Sequence, residues 1–315
     1  MSMANQGEIM REGRAIGKGR WGMYVGAAVL ALVVSLFSVG AQAQISLVFG
    51  AYSSDKPSAM VAQVRPSLNI IAKKASEIYG EEIVFRMQIV KSYKDGVDQL
   101  VTGKFDIMRL GPASYVMAKE RAPEIGILVM ENKGGRKTFN GIICVGNDSP
   151  LREVSELRGK SFAFGSSRST LGRFFAQLHL MQAGVFARDL GRFEYVGRHD
   201  TVGTVVGAGL FDAGALEETT FGKLVRKGVP IRALYKFSNA TRPWVVRAGL
   251  DPRLTDALRR AMLALTDAEA LRALRFDGFL TGSDSDYDPT RDAIRRNPMF
   301  FAGFERATPT RQSRR

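Results

Sequence analysis

Apolar and polar positions along the chain alternate in a way that predicts strands and helices in turn. The apolar runs Ile45–Phe49 and Ile83–Val90 predict buried strands, and Ser58–Tyr79 between them predicts a helix that ends at Gly80. Further strands are predicted at Phe105–Leu110, Ile125–Met130, Asn140–Val145, Ser161–Phe164, Phe193–Val196, Ala213–Leu216 and Ile231–Phe237. Further helices are predicted at Lys94–Val101, Pro112–Glu120, Ser169–Ala183, Thr201–Ala208, Leu254–Leu265 and Ala268–Leu274. This order predicts an α/β fold with mainly parallel sheets flanked by helices.

The two ends of the chain depart from this pattern. At the amino terminus a basic stretch precedes an apolar run, and the small residues Ala41-Gln42-Ala43 follow it. That order is typical of a secretory signal peptide, so residues 1–43 are predicted to be removed after Ala43; retention as a membrane anchor is the alternative. No cysteine follows the run, so no lipid anchor is expected. After Gly282 the pattern dissolves, and the proline- and arginine-rich residues 286–315 are predicted to form a poorly ordered tail.

Composition narrows the classes of function. The net charge is +14, but the basic residues are spread along the chain, which favours an anionic solute over nucleic acid. A single cysteine and two histidines leave no disulfide and few options for a transition-metal site, so no metal or cofactor is predicted. Cys144 lies within an apolar run and is predicted to be a buried, unreactive side chain.

One strand-to-helix joint carries the residues of an anion site. In Gly165–Gly172, Ser169 is a good helix N-cap, and its hydroxyl, that of Thr170 and the free amides of the first turn point the same way. Arg168 could add a planar donor. An ordinary N-cap with no ligand is the alternative.

A second joint, Gly111–Tyr115, places the hydroxyls of Ser114 and Tyr115 at another helix start. Ligands of open α/β sheets bind beyond the carboxyl ends of strands, so two facing joints could clamp one small anion. Tyr52 and Tyr93 each follow a strand and could lean into the same cleft or merely sit at its rim.

His199 and Asp212 complete the set of candidates. His199 could donate to an anion, although a solvated loop histidine is the simpler interpretation. Asp212 precedes a buried strand and could instead cap the turn there.

These residues together resemble a known family, the phosphate/phosphite/phosphonate-binding periplasmic proteins of ABC transporters. The resemblance covers about residues 45–265, and its motifs occur in the family's order. Those motifs are Tyr93, Gly111-Pro112-Ala113-Ser114-Tyr115-Val116, Leu157-Arg158-Gly159-Lys160, Ser169-Thr170-x-Gly172, His199-Asp200 and Gly209-x-x-Asp212-Ala213-Gly214-Ala215.

The resemblance implies a two-lobed periplasmic-binding-protein (type II) fold with the ligand cleft between its lobes. Residues 44–138 plus 237–285 would form lobe 1 and residues 139–236 lobe 2, with crossings near Lys137–Gly141 and Leu234–Ser238. It also implies that Ser169, Thr170, Tyr93 and His199 hold the solute's oxygens, with Tyr52 and Tyr115 as further candidates.

Three departures from the family pattern affect the expected solute. Leu171 replaces a third hydroxyl, and Arg168 stands where a small or polar residue is common. Near Ser238, where the family has Ser-Pro followed by an acidic residue, this chain reads Ser238-Asn239-Ala240-Thr241-Arg242-Pro243. The hypothesis is therefore that 2-aminoethylphosphonate, which needs an acidic partner for its ammonium group, is not the solute.

The implied function is capture of a small oxyanion by a periplasmic monomer that delivers it to an ABC permease in the inner membrane. One alternative is a sensor that presents the solute to a membrane histidine kinase. Another is an exported enzyme in which Ser169 and His199 act as nucleophile and base, although no acidic residue is placed by motif to orient His199. No nucleophile elbow, P-loop or dinucleotide-binding turn is present, so the chain is not predicted to be an enzyme.

Overall fold

The computed structural model describes residues 44–52 and 57–304. The predicted signal peptide, residues 1–43, lies outside the described residues. Within the described part, every helix is too short or too polar to cross a bilayer.

The first lobe is built on a six-stranded sheet with the order β11-β4-β10-β3-β1-β2. Its first seven elements alternate strand and helix as the hydrophobic pattern predicts. They are β1 (Ile45–Tyr52), α1 (Pro57–Tyr79), β2 (Ile83–Val90), α2 (Tyr93–Val101), β3 (Ile107–Arg109), α3 (Pro112–Arg121) and β4 (Gly126–Glu131).

The second lobe is built on a five-stranded sheet with the order β7-β6-β8-β5-β9. Its strands are β5 (Thr138–Gly146), β6 (Ser161–Phe164), β7 (Arg192–Tyr195), β8 (Ala213–Glu217) and β9 (Ile231–Ala240). Its helices are a π-helix (Thr170–Phe175), α4 (Ala176–Gln182), α5 (His199–Gly207) and α6 (Glu218–Arg226). Cys144 is fully buried in β5, as predicted.

The chain then returns to the first lobe through β10 (Pro243–Val246), α7 (Pro252–Leu263), α8 (Ala268–Leu274) and β11 (Phe279–Leu280). The return occurs at residues 241–242, a few residues later than expected, because β9 pairs with β5 as far as Ala240. Thr241 N–H donates to the Lys137 carbonyl at 2.8 Å, so the two crossing segments lie side by side. Such a pair of strands can act as a hinge.

Strand pairing is more mixed than the expected mainly parallel arrangement. The pairs that β1 forms with β2 and β3, and that β6 forms with β7 and β8, are parallel. The first strand after each crossing, β5 in the second lobe and β10 in the first, runs antiparallel to both of its neighbours. The reversal follows from the crossings, because a strand entering a lobe from the other lobe need not follow a right-handed β-α-β connection.

The expected poorly ordered tail is wrong for residues 288–300, which form helix α9 (Asp288–Phe300). Pro289 stands in the first turn, where its missing N–H has no partner to lose. Thr290, Ala293, Asn297 and Phe300 are buried at helical spacing. α9 packs against α3 of the first lobe and against α4 and the π-helix of the second. Residues 305–315 lie outside the described residues.

Candidate functional site

The turn around Ser169 forms as the sequence predicts. Ser169 is the N-cap of the π-helix, and its Oγ accepts a hydrogen bond from Gly172 N–H at 3.0 Å. Gly165 N–H donates to the Gly172 carbonyl at 2.8 Å, and a Cβ on Gly172 would lie 2.9 Å from Gly165 Cα. The two glycines therefore let the end of β6 approach the start of the helix closely. π-helical turns are rare and are frequent at functional sites.

The joint after β3 lies directly opposite this turn. Ala113 N–H at the start of α3 donates to Thr170 Oγ1 at 3.0 Å, so the two lobes touch at their helix starts. A Cβ on Gly111 would lie 2.9 Å from Tyr52 Oη and 3.7 Å from Thr170 Oγ1. Glycine at this position thus allows both hydroxyls to approach the joint.

A cavity of ≈ 50 Å³ lies between the two joints. Its volume corresponds to about four water molecules, which suits a small tetrahedral oxyanion. The lining residues come from both lobes and from the second crossing. They are Tyr52, Met60, Tyr93, Arg109, Leu110, Gly111, Pro112, Phe139, Ser169, Thr170, Leu171, His199, Glu217 and Arg242.

His199 is held by its surroundings in one tautomer. Its Nδ1 accepts a hydrogen bond from Glu217 N–H at 3.2 Å, so in the neutral ring the proton lies on Nε2. Nε2 is 3.4 Å from Ser169 Oγ, beside the cavity. The buried His199 therefore presents a donor to the cavity.

Tyr52 and Tyr93 pack against each other at the wall of the cavity, with ring centroids 4.3 Å apart and ring planes tilted by 30°. Tyr52 Oη accepts from Gly111 N–H at 2.5 Å and donates to Ser114 Oγ at 3.0 Å. The Tyr93 side chain lines the cavity from the first lobe, and Ser169 lines it from the second. Burial raises the pKa of both phenols above its ordinary value, so both remain protonated donors.

Four charged residues that were not among the predicted ligand-binding residues form a chain of ion pairs at the site. Arg242 Nη2 is 2.6 Å from Glu217 Oε2, Nη1 is 3.5 Å from Oε1, and Arg242 Nη1 is 3.8 Å from Glu131 Oε2. Glu131 in turn pairs with Arg109, whose Nε lies 2.5 Å from Oε1. Arg242 also lies over the Phe139 ring at 4.8 Å.

The ion pairs set the protonation of their members. Burial by itself works to raise the pKa of Glu217, but the charge and hydrogen bonds of Arg242 outweigh it and lower that pKa to about 2. Burial likewise works to lower the pKa of Arg242, and Glu217 and Glu131 outweigh it and raise that pKa. Both charges are therefore present at neutral pH.

Four of the predicted residues do not line this cavity. Ser114 is buried behind Tyr52, whose hydroxyl it accepts from. Tyr115, next to it on α3, points about 100° away and donates to Asp284 Oδ1 at 2.7 Å, with its ring against Tyr287. Arg168 lines a different cavity of ≈ 290 Å³ that meets the first at Tyr93.

Asp212 is the clearest correction among the predicted residues. It precedes β8, so it lies at the edge of the sheet opposite the carboxyl ends that form the cleft. Its carboxylate accepts from Ser161 N–H at 2.8 Å and from Ser161 Oγ at 2.6 Å. Asp212 therefore anchors a turn, the alternative that its sequence context left open.

No cluster of His, Cys, Asp and Glu suited to a metal ion occurs in the described part of the chain.

Comparison with known proteins identifies a matching protein family and a relative of known name. A family model described as "ABC transporter, phosphonate, periplasmic substrate-binding protein" matches residues 49–287. A relative from Prochlorococcus marinus (strain MIT 9301), named a probable ABC transporter phosphite-binding protein, is 27% identical over 55% of this chain. That match spans 64% of the relative's length, a little under two thirds.

Solved structures share the fold. The Prochlorococcus marinus protein PhnD1 in complex with methylphosphonate superimposes with a TM-score of 0.68 at 21% identity, covering 80% of this chain and 97% of its own. A binding protein of an ABC phosphonate transporter from Pseudomonas aeruginosa gives a TM-score of 0.68 at 16% identity, covering 82% and 88%. These similarities confirm the predicted two-lobed periplasmic-binding fold.

Proposed function

Since the chain belongs to the family of periplasmic substrate-binding proteins of phosphonate ABC transporters, we propose that it captures a small phosphorus oxyanion, such as a phosphonate or phosphite, and delivers it to an ABC permease. The observation that carries this proposal is the convergence of donors from both lobes on one cavity. Ser169, Thr170 and His199 face it from the second lobe, and Tyr52 and Tyr93 from the first.

The donors that surround the cavity are mostly neutral. Hydrogen bonds to a charged group contribute about 1.5–3 kcal/mol each, so several converging hydroxyl, imidazole and amide donors can replace the hydration shell of an oxyanion. Arg109 and Arg242 add positive potential, which Glu131 and Glu217 offset. The balance favours a small anion held largely by neutral donors.

Capture would couple to closure of the cleft. Thr170 Oγ1 already accepts from Ala113 N–H across the cleft, and Tyr93 and Ser169 line the same cavity from opposite lobes. A solute that binds donors of both lobes stabilises the closed arrangement over an open one, because only the closed arrangement makes all the contacts. The closed form is what the permease would recognise.

The geometry of His199 favours binding over catalysis. A general base for Ser169 would need an unprotonated Nε2, with Nδ1–H donating to a carboxylate as in a catalytic triad. Here Nδ1 accepts from Glu217 N–H, which leaves the proton on Nε2. Incubation with phosphate and sulfate esters should give no turnover; hydrolysis lost in a His199→Ala variant would contradict this assignment.

Transport is supported over sensing because the named relatives are transport components. We expect export to the periplasm with residues 1–43 removed, so that sequencing of the mature protein starts at Gln44.

We expect the protein to be a monomer, because the large exposed apolar side chains of the described residues lie on separate elements and form no contiguous patch. Size-exclusion chromatography with light scattering tests that state.

The proposal is tested by the double variant Ser169→Ala, Thr170→Val. Loss of two hydrogen bonds to a charged solute should weaken methylphosphonate or phosphite binding at least tenfold by calorimetric titration. Ser169 also caps the helix, so its loss should lower stability by about 1 kcal/mol. Ser167→Ala, an exposed residue of the same turn, is the matched control. An unchanged dissociation constant in the double variant would remove this turn from the site.

A further inference from the structure

A second cavity of ≈ 70 Å³ adjoins the first. Met60, Arg109, Glu217 and Arg242 line both, so the two cavities meet at the Arg242–Glu217 ion pair. The second cavity is therefore separated from a solute in the first only by these shared side chains.

The second cavity is strongly basic. Besides the shared residues, its lining includes Lys133, Lys223 and Arg275. Arg242 is paired with Glu217, and Arg109 with Glu131, so these two arginines are already compensated. Among the residues that the structure describes, no carboxylate lies within ion-pair distance of Lys133, Lys223 or Arg275. These three side chains therefore leave an excess of positive charge around a small space.

The backbone at Arg275 has a conformation that is uncommon for a residue with a side chain. Arg275 has φ +64°, and it is the one non-glycine residue of the described part with a positive φ. It ends α8 in the left-handed conformation, where glycine is usual because a side chain there is strained. Its carbonyl accepts from Lys133 Nζ at 2.7 Å, so the strained turn also holds a second cation of the cavity.

We propose that this second cavity binds an anionic group at the far end of the solute, so that the protein prefers phosphonates that carry a carboxylate on a short alkyl chain. The inference rests on the proposed function, because the first cavity must hold the phosphonate group. The volume corresponds to about five water molecules, enough for a carboxylate. The same cations repel an ammonium group, which disfavours 2-aminoethylphosphonate despite the nearby Glu217.

Calorimetric titration with four compounds tests the preference. 3-Phosphonopropionate and phosphonoacetate carry the carboxylate, methylphosphonate has no distal group, and 2-aminoethylphosphonate carries a cation. We expect at least one of the two carboxylate compounds to bind tenfold or more tightly than methylphosphonate, and 2-aminoethylphosphonate to bind more weakly than methylphosphonate.

The variant Lys223→Gln, Arg275→Gly isolates the second cavity. Glycine relieves the strained φ, so the variant should fold. It should lose the preference for the carboxylate compounds while its methylphosphonate affinity stays within twofold. Arg272→Gln removes an exposed cation of the same helix and is the matched control.

The outcomes separate the two proposals. If methylphosphonate binds but neither carboxylate compound binds more tightly, the second-cavity inference is wrong and the proposed function stands. If the double variant weakens all compounds equally, the two cations act on the whole cleft and the inference is again wrong. If none of the compounds, nor phosphite, binds the wild-type protein, the proposed function fails first.

Discussion

At the residue scale, the Arg242–Glu217 pair controls the charge of the cleft. Arg242 side-chain exposure is 21% and that of Glu217 is 13%, so the pair is largely shielded from water. Glu217 also fixes His199 through its backbone N–H. One residue thus orients the cavity's imidazole with its main chain and neutralises the cavity's arginine with its side chain.

Glu217→Gln should destabilise the protein in a pH-dependent way. Removing the Glu217 carboxylate leaves Arg242 with only the more distant Glu131, at 3.8 Å, as a counter-charge. The expected loss in the free energy of unfolding at pH 7 is about 3 kcal/mol. The folded-state pKa of Glu217 is about 2, below its ordinary 4.5. The stabilisation is therefore present above pH 4.5 and is lost as the pH falls towards 2.

Thermal unfolding of wild type and variant at pH 7 and pH 2.5 checks this prediction. The difference in Tm should be several degrees at pH 7 and should shrink at pH 2.5. Below pH 4.5 the unfolded chain binds a proton at Glu217 that the folded chain does not bind, and this offsets most of the contribution of the ion pair. An equal difference at both pH values would mean that the ion pair contributes no net stability.

The sequence indicated the hydroxyl and imidazole residues of the site because their signal is local. Ser169 and Thr170 stand at a helix start, and His199 follows a strand within a recognisable motif. The pairing of Arg242 with Glu217 depends on how the second crossing lies against the end of β8, across 25 positions of sequence. No periodicity encodes such a contact, so the charged residues of the site emerge only from the folded chain.

At the element scale, hydrophobic periodicity located most strands and helices before Gly282, but it missed α6, β10 and β11, and it failed after Gly282. Pro289 and Pro298 favoured an irregular tail, yet one stands in the first turn of α9 and the other in its last. The buried positions of α9 do recur at helical spacing, but Thr290 and Asn297 are polar. A search for apolar residues at helical spacing therefore does not detect the buried face of α9.

Phe300→Ala should show that α9 is part of the fold. Phe300 is fully buried, and its ring centroid lies 5.8 Å from that of Phe164 in the second lobe. Truncating a buried phenylalanine costs about 3–5 kcal/mol, so chemical denaturation should show a clear loss of stability. Met299→Ala is the control, because the neighbouring Met299 is 60% exposed and its loss should change stability by less than about 0.5 kcal/mol. Equal effects of the two changes would mean that α9 does not dock as described.

At the scale of the whole molecule, the resemblance to a known family predicted the two lobes and the return of the chain to the first lobe. Hydrophobic periodicity alone predicts neither. Alternating strands and helices fit a single sheet as well as two. The location of the second crossing was missed by a few residues because β9 continues its pairing with β5 beyond the end of its apolar run. Pairing partners rather than composition decide where a crossing strand leaves its sheet.

Exchange of a single amide hydrogen should report closure of the cleft directly. Ala113 N–H bonds to Thr170 Oγ1 in the other lobe, so it is protected only while the lobes are together. Tyr115 N–H bonds to the Gly111 carbonyl within the same lobe and should be insensitive to closure.

If only the closed form binds, methylphosphonate at 100 times its dissociation constant stabilises that form by about 2.7 kcal/mol. Exchange at Ala113, followed by NMR, should then slow by up to about 100-fold while exchange at Tyr115 stays constant. In Thr170→Val the Ala113 amide should exchange rapidly with or without solute, because its acceptor is gone. If calorimetry detects binding to the wild-type protein while Ala113 exchange does not change, the solute binds without drawing the two helix starts together, and closure is not part of capture.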